Sequence, residues 1–182
     1  MNTSRKLLLA GAAAISLSAM ASSAFAQATA TGTGTASVVV IQPLSIADTT
    51  NLSFGRITTS GASGTVAVSA TGTRTVTAGV SAAGGTVSNG LFTANGEPNQ
   101  AVTVTLVSGT LTLTSGASTL SGTVASTVAT TGGTSTVLGA GGTGTGSTFG
   151  GLPIPISASL TIPANTVSGT YSGTYQVTVT YN

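Results

Sequence analysis

Asp48 and Glu97 are the only carboxylates in the chain, so any acid–base chemistry would have to run through them. A glycosidase-type site needs two such groups flanking one sugar bond, one of them with a raised pKa. Here Asp48 stands in Ala47-Asp48-Thr49-Thr50-Asn51 and Glu97 in Asn95-Gly96-Glu97-Pro98-Asn99. Both contexts read as turns, where an acidic residue caps and solubilises. Two carboxylates without His or Cys fall short of an ordinary metal ligand set unless carbonyls supply the rest. With no Lys beyond Lys6, the many Ser and Thr hydroxyls also lack an activating base. The string Gly139-Ala140-Gly141-Gly142-Thr143-Gly144 matches the dinucleotide fingerprint G-x-G-x-x-G in letters only. No helical pattern follows it and no acidic residue lies downstream, so it reads as glycine-rich loop. The expectation is a non-enzymatic chain with no cofactor and no metal.

The cations point the same way. Arg5 and Lys6 fall in an N-terminal leader, which leaves Arg56 and Arg74 against Asp48 and Glu97 and a net charge of zero. Nucleic acids and anionic membrane surfaces need clustered Lys and Arg, so neither is an expected partner. The leader has a basic start (Arg5, Lys6), an apolar run from Leu7, and an A-x-A site at Ala24-Phe25-Ala26. It reads as a secretory signal over residues 1–26, with the mature chain starting at Gln27. No later segment is long and apolar enough to suggest a membrane-spanning helix after cleavage. The expected address is therefore the periplasm, the cell surface or the medium. Exported domains often rely on disulfides, and this Cys-free chain must instead be held by strand pairing and packing.

The elements available for that are strands. Apolar residues alternate with period two, bounded by Gly, Ser, Asn or Pro. One face carries Val66, Val68 and Ala70, and the next Val76, Ala78 and Val80. Val102, Val104 and Leu106 follow, then Leu111 and Leu113, then Leu152 through Ile162 on even positions. Pro153, Pro155 and Pro163 cannot donate to a ladder, so this stretch is expected at a sheet edge or entering its sheet late. The final run, Thr170 to Asn182, places Tyr171, Gly173, Tyr175, Val177, Val179 and Tyr181 on one face and reads as the strongest strand. Strands at this spacing predict an all-β, immunoglobulin-like antiparallel sandwich. An outer-membrane barrel would need aromatic girdles that three Tyr and four Phe cannot supply. A solenoid would need a fixed period, and the Gly-Thr-Val and Gly-Thr-Leu units are unevenly spaced. The organisation predicted is a flexible extension at 27–35, then one sandwich domain at 36–182 with a long glycine-rich loop at 130–151.

Several stretches carry a family resemblance. Val40 to Ile46, Leu52 to Ile57, Gly64-Thr65-Val66, Thr71 to Arg74, Leu91 to Gly96 and Gly169 to Asn182 together resemble the DUF4402 family of exported bacterial proteins. The last stretch also resembles the C-terminal strand of chaperone-usher pilus subunits and spore-coat-U-like proteins, which end in alternating apolar residues with a penultimate aromatic. Tyr181 before Asn182 fits that ending. The resemblance implies an incomplete immunoglobulin-like domain whose missing strand comes from a periplasmic chaperone, whose basic residues hold the terminal carboxylate on Asn182. In the finished fibre, the N-terminal extension of the next subunit takes that place. The assembly strand would then be Tyr171, Tyr175, Val177, Val179, Tyr181 and Asn182. The donor face would be Ala28, Ala30, Gly32, Gly34, Ala36, Val38 and Val40. The pilin disulfide has no counterpart, and the donor side chains are mostly small.

The expected function is a structural subunit of a bacterial surface fibre or coat, assembled by β-strand addition, with itself, a chaperone and an usher as partners. The alternative is a self-contained surface β-domain that binds a glycan or a protein. The long final strand has little charge to block edge pairing. It is expected to be covered either by the chain's own Ala36 to Ile46 or by a strand from a neighbour.

Overall fold

The computed structural model describes residues 29–77, 79–140 and 149–182. The chain divides into two units, Met1–Val38 and Val39–Asn182. The leader, Ala28, Ala78 and the Gly141–Gly144 part of the glycine string lie outside the described residues. In the first unit, residues 29–38 form no strand, turn or bend, and all are exposed.

The second unit is all β, with no helix among the described residues. Its strands are β1 (Ser45–Thr50), β2 (Ile57–Thr59), β3 (Gly64–Val68), β4 (Arg74–Val76), β5 (Val80–Ala82) and β6 (Gly90–Gly96). They continue as β7 (Ala101–Leu106), β8 (Thr110–Ser115), β9 (Ser118–Ala125), β10 (Thr134–Val137), β11 (Gly150–Ile162) and β12 (Val177–Tyr181). A seven-stranded sheet runs β1-β6-β11-β3-β4, with β9 also on β11 and β8 on β9. A three-stranded sheet runs β10-β7-β12, and β2 pairs with β5. Every strand pair is antiparallel.

The sandwich forms because alternation gives each sheet one apolar face. Ile154 and Ile156 of the large sheet and Val102 and Val104 of the small one are all fully buried and belong to one core cluster. A second cluster gathers Val66, Val80, Leu120, Leu160 and Ile162. Each large side chain so buried contributes roughly 1.5 to 3 kcal/mol, which lets packing stand in for cross-links.

Several elements differ from the sequence reading, each for a local reason. The stretch with the prolines is not an edge strand, since β11 is the centre of the large sheet. In its first half, however, Gly150 to Ile156 has only β6 beside it, and two-sided pairing with β9 and β3 begins at Ser157 and Ala158. Pro153 and Pro155 therefore sit where one side of the strand asks for no donor. The region 130–151 is not all loop: β10 pairs with β7, and Leu138 is buried. Asp48 lies within β1 rather than in a turn, opposite Phe92.

The final strand is shorter than expected, beginning at Val177 rather than Thr170. The chain before it passes between sheets. Ser172 bridges Thr114 of β8, and four residues later the Val107 amide donates to the Gln176 carbonyl beside β7. Neither partner can hold a continuous ladder across that passage. Gly173 permits it, since a Cβ there would collide with the Thr112 carbonyl oxygen. Of the segment Ala36 to Ile46, one of the two candidates for pairing with β12, only Ser45 and Ile46 lie in a strand, β1, and β1 pairs with β6.

Candidate functional site

Between Leu52–Thr59 and Thr166–Tyr175 lies an open cleft of about 880 Å³. Its floor is the domain's own core: Val66, Leu111, Leu113, Leu120, Leu160 and Ile162. Five of these are nearly or fully buried in the second cluster or its neighbour, so the cleft opens directly onto packed interior.

Each rim has a strand neighbour on one side only. Ser53 exchanges backbone hydrogen bonds with Ser88, the Arg56 amide donates to Gly84, and β2 pairs with β5. On the opposite rim Ser172 exchanges bonds with Thr114. Among the described residues no backbone hydrogen bond joins one rim to the other. The cleft is thus bounded by two chain segments, β2 with the residues before it and the irregular stretch Thr166–Tyr175, across an apolar floor.

Both rims are braced. The Arg74 guanidinium donates to the carbonyls of Phe54 at 2.9 Å, Arg56 at 3.1 Å and Gly84 at 3.2 Å. Gly55 makes this approach possible: its φ is 69°, and a Cβ there would lie 2.6 Å from the guanidinium. The other rim ties itself, through Tyr171 donating to the Val167 carbonyl at 2.8 Å and Thr166 donating to the Pro163 carbonyl at 2.7 Å.

The six residues assigned to the assembly strand separate into two groups. Tyr171 and Tyr175 line the cleft. Tyr175 packs edge-on against Phe92, with ring centroids 5.7 Å apart. Its hydroxyl is buried without a hydrogen-bond partner. Burial first, then the charge of Asp48, raises its pKa, and the nearby Leu52 backbone opposes the shift without reaching hydrogen-bond geometry. Val177, Val179 and Tyr181 lie instead in β12 against β7, half-buried. Asn182 is knitted to that sheet: it accepts from Thr103 and donates to Ser135.

Tyr181 packs against the core with Val177 and Val179. It is half-buried, and its hydroxyl carries a clasp. It accepts from the Glu97 amide at 2.7 Å and donates to the Gln42 carbonyl at 2.9 Å. The Glu97 carboxylate then accepts from the Gln42 amide at 3.0 Å. One carboxylate is therefore engaged in holding the backbone. The other lies opposite Phe92, five residues back along β6 and its continuation, roughly 17 Å away by strand rise. That is well beyond the spacing of about 5 to 10 Å at which two carboxylates share one glycosidic bond.

On the proposed donor face, Ala30, Gly32, Gly34, Ala36, Val38 and Val40 are all exposed. Sequence reasoning missed Arg74 and the Leu52–Thr59 rim. The alternation Leu52-Ser53-Phe54 was a usable signal, but nothing in it says that one edge stays unpaired.

Comparison with curated proteins and with solved structures finds no match for the chain. The family model DUF4402, a domain of unknown function, matches residues 44–181. That span holds both rims, the floor and the clasp residues Glu97 and Tyr181. This chain belongs to the DUF4402 family.

Proposed function

We propose that the chain is a non-enzymatic structural subunit of a bacterial surface fibre or coat, exported by its leader and assembled by β-strand addition. The observation that carries this reading is the cleft, whose two rims make no backbone hydrogen bond to each other across an apolar floor. An extended segment entering it would pair its main chain with both rims while alternate side chains cover the floor. Each apolar side chain so buried adds roughly 1.5 to 3 kcal/mol, so a strand of a few residues is enough for a durable joint. Before assembly the cleft would stand open, and a periplasmic chaperone and an usher are the partners that would occupy it in transit.

The test is to export the chain with its leader in a bacterial host and run the surface material unboiled in mild denaturant. A ladder of subunit multiples that collapses to one band on boiling is the expected result. A single monomeric band before and after boiling would favour the self-contained β-domain.

A further inference from the structure

We infer that β1 and β12 together form a stepped edge that docks onto the same edge of a second copy of this chain, with Asp48 setting how tightly the two hold. No residue of β1 or β12 lines the cleft, so the inference goes beyond the strand-addition reading and does not depend on what fills the cleft.

The step follows from which strands lie over one another. Tyr175 to Tyr181 runs across the core from β6: a Cβ on Gly90 would meet the Tyr175 hydroxyl, and one on Gly96 the Tyr181 hydroxyl. Phe92, between those two glycines, packs edge-on against Tyr175. On one side of β12 lies β7, and on the other no strand follows among the described residues. In the large sheet, by contrast, β6 has β1 on one side and β11 on the other. Residues directly opposite in an antiparallel pair share a face. Ile46, opposite the buried Ala94, and Asp48, opposite Phe92, therefore sit on the core-facing side of β1. Yet Ile46 is 39% exposed and belongs to neither core cluster, and Asp48 is exposed as well. Fully buried Val102 and Val104 of β7 do not lie over a strand so uncovered. β7 thus stands on the β11 side, and the large sheet projects one strand beyond the small one.

Both strands of the step keep a free edge, since each is the last in its sheet. The Val107 amide donates to the Gln176 carbonyl and the Asn182 amide to the Ala101 carbonyl. Bonding alternates along an antiparallel ladder, so the main-chain groups of Val177, Val179 and Tyr181 point away from β7, into the empty place over β1. Unpaired groups of that kind are a template for another strand.

A foreign strand in that place would pair with β12 and leave the outer edge of β1 bare. A second copy pairs both. Turned about a twofold axis along the strands, midway between the two layers, its β1 enters the place over the first β1 and its β12 lies beside the first β1. The directions agree. β12 runs the same way as β6 and β1 runs against β6, so the incoming β1 is antiparallel to β12. Such a contact is isologous and closes as a dimer. It uses six residues of β1 and five of β12 on each side, fewer than the roughly 20 to 30 of a standard interface, so the dimer is expected to be reversible. At the axis Ile46 meets its own counterpart, and Asp48 does the same. Asp48 is the only charged side chain of β1 and β12, and like charges facing each other weaken the pairing.

The chain has no Cys, so one introduced thiol reports the axis. The full mature chain carrying Ile46→Cys, treated with a short bis-maleimide, should give a covalent dimer whose yield rises with protein concentration. Val137→Cys, 54% exposed on β10 at the far end of the small sheet, should give at least tenfold less. Adding Asp48→Asn to the Ile46→Cys chain should bring half-maximal cross-linking to a concentration at least tenfold lower. A melting temperature equal to that of the native chain checks that each variant is folded. A yield at Ile46→Cys no greater than at Val137→Cys overturns the second copy as occupant, and a concentration dependence unmoved by Asp48→Asn overturns the role of the charge.

Discussion

The C-terminal segment has one alternating pattern and two different fates. From Val177 to Tyr181 it lies in a ladder with β7 and ends in a clasp that engages Gln42 and Glu97. From Thr166 to Tyr175 it touches β8 through a single bridge and leaves its other edge open over the core. The two tyrosines show the contrast in one chemistry. The Tyr181 hydroxyl has two backbone partners, whereas the Tyr175 hydroxyl is buried with none. Stability is concentrated at the closed end, and incompleteness at the open one.

That contrast is open to direct attack. The largest effect belongs to the closed end. Leu106 is 2% exposed opposite Val177, so Leu106→Ala should cost about 2 to 5 kcal/mol in urea unfolding, whether or not the subunit is assembled. Leu120→Ala, in the cleft floor, should fall at or below the low end of that range in the isolated subunit and cost more once a strand covers it. Equal costs in both states would mean the cleft is not the joint. Next, Tyr181→Phe should destabilise by about 1 to 2 kcal/mol, because the Glu97 amide and Gln42 carbonyl lose their partner in a half-buried site. Tyr175→Phe removes a hydroxyl that bonds to nothing, so its melting temperature should match or exceed that of the native chain.

The smallest effect is one of pH. The Tyr175 phenol is raised above its ordinary value of 10.0, chiefly by burial. The folded state thus holds its proton more tightly than the unfolded state. The stability this contributes is fully present below pH 10.0 and is lost as pH rises through the higher folded value. Native protein should therefore lose more stability above that point than Tyr175→Phe does, as read by urea midpoints across the alkaline range. Parallel curves would place the hydroxyl in water.

Much of the architecture was readable as pattern. Period-two runs identified the inward faces of β3, β7 and β11, because a side chain that must be buried repeats every second residue whatever its strand pairs with. The absence of His and Cys, with only two carboxylates, bounded the chemistry for the same composition-level reason. The site was only half readable. Tyr171 and Tyr175 were singled out as part of one continuous assembly strand, which the passage between β8 and β7 interrupts at Gly173; that they line a cleft was not legible. Asp48 was given the wrong surroundings, since a turn-like composition does not reveal β1 beside β6, and the alternation that placed Tyr181 on the final strand does not reveal its backbone partner 139 residues away.

Alternation along the chain, then, determined that this protein would be a sandwich and which side chains would face its core. Only the tertiary structure decided which edges would be paired. Pairing depends on where distant segments cross, and a local repeat of two carries no information about that. The unpaired edges over Leu113, Leu120 and Leu160, and the Arg74 brace that holds one of them open, are consequences of that crossing alone.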